Sequence, residues 1–183
     1  FASGAARLGW IFRSLGRYPE ARVELDEAMA LSPTNIAFRE SRVLVELGAG
    51  NLDSARAIIR YAPPEIDQSA LVAYIGNYWD LFWVLDDAQQ RLLLSLTPSE
   101  FDNDRGAWGI VMAQTWWLRG DQAKARAYAD SARVTFAAHL KANPTDGQQF
   151  LFRGLAEAYM GKKAEAIRDG ERGVAITRQA NDA

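Results

Sequence analysis

Apolar positions recur along nearly the whole chain with a helical period, and small residues fall among them at fixed intervals. In residues 5–35, AARLGWIFRSLGRYPEARVELDEAMALSPTN, two short amphipathic stretches meet at Gly16 and stop near Pro33. Gly9 stands seven residues before Gly16, while Ala21 and Ala28 stand five and twelve after it, with Phe12, Tyr18 and Leu25 between. That spacing predicts an antiparallel helix pair: a glycine ends the first helix, and small side chains let the two backbones approach. On this reading Gly9 faces Ala21. The same pattern predicts helix pairs over 2–15 and 18–31, 36–48 and 52–62, 67–84 and 86–96, 104–119 and 121–142, and 146–160 and 163–179.

The template repeats. Anchored on Gly50 it finds Val43, Ala55 and Ala62; on Gly120, Ala113, Ala125 and Ala132; on Gly161, Gly154, Ala166 and Gly173. A weaker copy sits on Trp83, and successive anchors lie 34, 33, 37 and 41 residues apart. Self-similarity at this period means stacked two-helix units, each burying its apolar face against the next. The second helix of the fourth pair is about two turns longer than the template. Between the third and fourth pairs, Thr97, Pro98 and Glu100 stand in capping-box order, predicting a short extra helical turn at an irregular joint and candidate hinge.

Leu8, Gly9, Phe12, Gly16, Tyr18, Ala21, Leu25, Ala28 and Pro33 together resemble a tetratricopeptide repeat. The likeness spans roughly residues 2–177, although Arg42 and Glu46, and again Arg153 and Glu157, stand where leucine and an aromatic are usual. It implies an all-α fold, a right-handed α-solenoid of about five antiparallel helix pairs. The repeats are expected at about 2–35, 36–66, 67–102, 103–146 and 147–180, forming one array over residues 1–183. The stretch from LRGDQAKARAYADSAR to GLAEAYMGKKAEAIRDGERGVAI also resembles the C-terminal repeat regions of multidomain bacterial signalling proteins. The chain opens on Phe1, and a piece of a longer protein is expected.

In arrays of this family the first helix of each pair lines a concave groove that holds a protein or peptide segment. The resemblance therefore implies a groove lined by Trp10, Arg13, Glu40, Leu44, Asn77, Asp80, Gln114, Trp117, Gln148 and Tyr159. Aromatics there offer rigid apolar contact, while Asn and Gln can pair with an extended backbone. The family's capture of a terminal carboxylate needs inward Lys, Arg and Asn, but Ala6 and Trp10 hold the corresponding places in the first pair. With Arg13 opposed by Glu40 and Asp80, a ligand carrying a basic residue beside an apolar one is expected. The alternative is a structural spacer or self-association element, because Ile167, Val174 and Ile176 leave an apolar face on the last helix.

Composition adds mainly exclusions. The 183 residues carry 21 basic and 23 acidic side chains, a net charge of −2, so nothing draws the whole chain toward nucleic acid. With no cysteine there is no thiolate site, and the one histidine, His139, has no partner in spacing, which suits a surface or packing role. The DNDRGA run at 102–107 places Gly106 where a calcium loop needs a ligand. Asp86 and Asp87 open a helix, where carboxylates favour its dipole. No enzyme, cofactor or metal is expected. The longest apolar run, 70–85, is broken by Asn77 and Asp80 and falls short of the ~20 residues of a membrane span. A cytoplasmic setting is favoured. The aromatics of 74–83 and 108–117 read as core stripes, Ile75, Trp79 and Trp83 in one and Tyr74, Tyr78 and Phe82 in the next; Trp117 alone points to the hollow side.

Overall fold

The structure is a computed structural model that describes residues 1–78 and 81–181, so the expectations placed on Trp79 and Asp80 lie outside the described residues. Among the described residues it is all-α, with ten α-helices, two short 3-10 turns and no strand. The helices are α1 (Ala2–Ser14), α2 (Tyr18–Leu31), α3 (Ile36–Gly48), α4 (Leu52–Arg60), α5 (Gln68–Tyr78), α6 (Asp87–Ser95), α7 (Arg105–Leu118), α8 (Gln122–Ala142), α9 (Gly147–Tyr159) and α10 (Lys163–Asn181). They fall into two compact units, Phe1–Gln90 and Arg91–Ala183.

The helix pairs are made by their turns. Gly16, Gly50, Gly120 and Gly161 have φ of 72°, 79°, 83° and 80°, left-handed values that cost a residue without Cβ least. At each, the glycine N–H donates to the carbonyl three residues back, and the next N–H donates to the carbonyl five back. At Gly16 these bonds are Gly16 to Arg13 at 3.0 Å and Arg17 to Phe12 at 2.8 Å; at Gly120 they are Gly120 to Trp117 and Asp121 to Trp116, both 3.0 Å. These are Schellman closures, which pair the otherwise orphaned carbonyls of the last turn. Side-chain caps start the next helices: Asn35 accepts from the Phe38 N–H, Asp104 from Gly106 and Ala107, Asp121 from Lys124 and Asp146 from Gln149.

In the first unit α1 packs on α2 and on α3, α2 on α3, and α3 on α4, so each first-of-pair helix meets the next. The core here is Ala5, Ala6, Ala21, Leu25, Ala28, Phe38 and Val45, with Phe12 and Tyr18 against it. In the second unit α7 packs on α8 and α9, α8 on α9, and α9 on α10. Ile110, Ala132, Phe136 and Ala156 form its centre, and Phe152 stacks on Phe136 at 5.6 Å. No described helix is long and apolar enough to cross a membrane.

Two expectations change in detail. Gly9 meets Leu25 first, one turn beyond the expected Ala21: a Cβ on Gly9 would stand 2.6 Å from Leu25 Cγ, so the glycine admits a large side chain there. Of the helix expected over 67–84, Gln68–Tyr78 is α-helical, whereas Leu81–Trp83 winds as a 3-10 turn. The tighter 3-10 winding resets which positions share a face. Ile75 and Phe82 are buried as expected, yet Trp83 is 41% exposed. The second 3-10 turn, Pro98–Phe101, is the extra turn anticipated from Thr97 and Glu100, and the capping box is formed.

The charged residues at motif positions are not exposed misfits. Glu46 is 3% exposed and accepts from Arg22 Nε at 2.8 Å, Arg22 Nη2 at 2.9 Å, Arg42 and Asn51 Nδ2 at 3.2 Å. Arg42 also donates to Asp26 at 2.8 Å, so α2, α3 and the turn at Asn51 share one ionic cluster. On α9, Arg153 pairs with Asp169 of α10, itself 3% exposed. Burial, then the neighbouring Asp169 charge, pushes the Glu157 carboxyl upward.

Candidate peptide-binding pockets

Four of the residues expected to face inward meet in the first unit. Trp10 and Arg13 from α1, Glu40 and Leu44 from α3, together with Ala37, Ser41 and Tyr74, line a pocket of about 400 Å³. One helical turn separates Trp10 from Arg13 and Glu40 from Leu44, which places each pair on one face. The Trp10 indole is fixed by its Nε1–H, which donates to Ser41 Oγ at 2.8 Å. Ser41 has a single proton of its own, and the Ala37 carbonyl at 2.8 Å is the nearer acceptor; Glu40 Oε2 lies at 3.3 Å.

Glu40 is therefore the chemically unusual group. It is 3% exposed, and its Oε1 has no hydrogen-bond partner. Burial pushes its carboxyl from 4.5 up to about 7, against the smaller opposing pulls of the Arg13 charge and the Ser41 hydroxyl. Since the folded value exceeds the usual one, the native state holds this proton more tightly than the unfolded chain does. Stability from this group is complete below about pH 4.5 and is lost as pH rises through about 7. A Glu40→Gln variant is expected to remove that slope. Between pH 5 and pH 8, the wild-type chain should lose roughly 2 kcal/mol relative to the variant in urea unfolding. Parallel stability profiles would contradict this account of the carboxyl.

The second unit holds a smaller pocket of about 270 Å³, lined by Trp117, Leu155, Ala158 and Tyr159. Trp117 is 53% exposed, and the Tyr159 ring meets it edge-on at 6.1 Å and 72°. The three other expected residues with described positions behave differently from one another. Asn77 is half-buried on α5, Gln114 is buried within α7, and Gln148 is exposed in the first turn of α9. Sequence reasoning missed Ser41 and put Tyr74 in a core stripe. Tyr74 is half-buried and lines the first pocket, and only its register relative to Glu40 on the neighbouring helix could have revealed this.

No family model matches the chain, and neither does any curated protein. Among solved structures it is similar to the TPR2AB-domain:pHSP90 complex of yeast Sti1. The identity is 15% and the TM-score 0.38, over 96% of this chain and 77% of that one. The chain is an all-α protein of consecutive helix pairs. Its aromatic rings stand at pockets on first-of-pair helices: Trp10 on α1, Tyr74 on α5, Trp117 on α7 and Tyr159 on α9.

Proposed function

We propose that the chain is a tetratricopeptide-like, non-catalytic binding module that holds a protein or peptide segment along its first-of-pair helices, within a larger signalling or scaffold protein. The observation that carries this reading is convergence. Trp10, Arg13, Glu40 and Leu44, selected by repeat position alone, line one pocket, and Trp117 and Tyr159, selected the same way, line another. Half-exposed tryptophans on rigid helices suit recognition, because a fixed aromatic contributes contact area at little entropic cost. Peptides selected on the wild-type chain by display and measured by fluorescence anisotropy should bind a Trp10→Ala/Trp117→Ala variant about tenfold more weakly or worse. Unchanged affinity in a variant with native circular dichroism would refute the assignment.

One observation favours a second reading, self-association through the last helix. Ile167 and Val174 of α10 are 50% and 42% exposed. Light scattering over a concentration series separates the two, since a strict monomer at the highest concentration removes the second.

A further inference from the structure

The unpartnered oxygen of Glu40 says what kind of side chain the first pocket takes. A buried carboxylate that gains only a weak 3.3 Å contact from Ser41 is short of donors. Arg13 of α1 lines the same pocket, but no ion pair joins it to Glu40, and it stays half-buried. Carboxylates accept only, so what completes this site is a donor, best a charged one. The terminal torsion of a glutamate is soft, which lets the carboxylate turn toward a donor entering the pocket. Around it, Trp10 and Tyr74 present rings and Leu44 an aliphatic surface, the surroundings in which the methylenes and charge of a long cationic side chain are both accommodated. Burial leaves this carboxyl holding its proton up to about pH 7, and an entering cation draws it into the charged form, whereas an anionic group would hold it neutral and leave its free oxygen without a charged donor.

Resting on the peptide-binding reading, we propose that this pocket, between α1, α3 and α5, is a subsite for one arginine or lysine side chain of the bound segment, with Glu40 as its counter-charge.

The test uses the whole chain and single-residue probes: acetyl-arginine amide, acetyl-lysine amide, acetyl-glutamine amide and acetyl-glutamate amide. The readout is the Trp10 indole Nε1–H resonance. The arginine and lysine probes should shift it saturably, with the glutamine probe about tenfold weaker. Glu40→Gln should weaken the arginine probe by about tenfold, whereas Trp117→Ala should leave it unchanged. Arg13→Gln, which keeps Glu40 and removes the competing cation, should tighten it several-fold, so the proposal stays testable even if Glu40→Gln misfolds.

Equal binding of the arginine and glutamine probes, preferential binding of the glutamate probe, or no arginine-induced shift would each overturn the subsite. If selected peptides depend on Trp10 and Trp117 but the arginine probe leaves Trp10 unmoved, peptide binding stands and the cation subsite falls. If the arginine probe binds through Glu40 and no peptide depends on the tryptophans, the subsite stands and the wider reading falls.

Discussion

Replacing Glu46 with alanine is expected to destabilise the first unit by about 3 kcal/mol, the scale of breaking a buried ion pair from one side. The reason lies in what remains. Arg22 and Arg42 both direct their guanidinium groups at this carboxylate, and the Arg42 side chain is only 12% exposed. Without Glu46, Arg42 keeps Asp26, but Arg22 and the Asn51 amide lose the acceptor they hold in this cluster. The pH dependence should run opposite to that of Glu40, six positions earlier on the same helix. Hydrogen bonds from Arg22, then from Arg42 and Asn51, outweigh desolvation and hold the Glu46 carboxyl down at about 2. Its folded value is therefore depressed, so its contribution is complete above about pH 4.5 and disappears as pH falls toward 2. Urea unfolding at pH 7, with hydrogen exchange of the α2 to α4 amides as the local readout, measures the loss. A cost below about 1 kcal/mol would mean the cluster is no more than a surface ion pair in its energetics.

A valine at Gly154 is expected to cost about 3 kcal/mol, at the upper end of overpacking in a tight interface. Even the first added carbon meets backbone: a Cβ there would lie 2.9 Å from the Ala166 carbonyl oxygen and 3.3 Å from the Gly170 nitrogen. Backbone cannot rotate aside as the end of a side chain can, so α9 and α10 would have to separate. Gly147 and Gly173, whose missing side chains face each other's carbonyls at 2.8 Å and 2.7 Å, hold the same two helices together two turns away. Gly170 supplies the control. Nothing lies within 4 Å of a Cβ built on it, so Gly170→Ala should stabilise α10 by up to about 1 kcal/mol through helix propensity alone. Differential melts of the two variants check both signs. A neutral Gly154→Val would show that α9 and α10 do not approach backbone to backbone.

What could be read from the sequence was what is decided locally. A left-handed glycine, an Asp or Asn cap and a proline act within one turn of the chain, and the helix limits set by Gly16, Gly120, Asp121 and Asp146 follow from the string itself. The partners of Arg42 and Glu46 did not. Their positions look like faults in an apolar motif until Arg22 and Asp26 of the preceding helix are brought opposite them. The 3-10 turn at Leu81–Trp83 was hidden for a similar reason. The aromatic run continues into it with helical spacing, and only the winding of Leu81–Trp83 shows that the face has turned. In the first pocket, repeat position located Trp10 and Glu40, but Ser41 was invisible because its role is a bond to a residue 31 positions away.

The glycine closures also bear on how this chain reaches its native state. The hairpins at Gly16, Gly50, Gly120 and Gly161 are each shut by bonds spanning three and five residues, and their two arms meet soon after, so little loop entropy is spent before the first contacts form. Such chains have low contact order, and assembly can begin at any hairpin and spread to its neighbour. Folding should accordingly be rapid. Amide exchange should grade along each unit, slowest where a hairpin is flanked on both sides, instead of switching off at a single threshold.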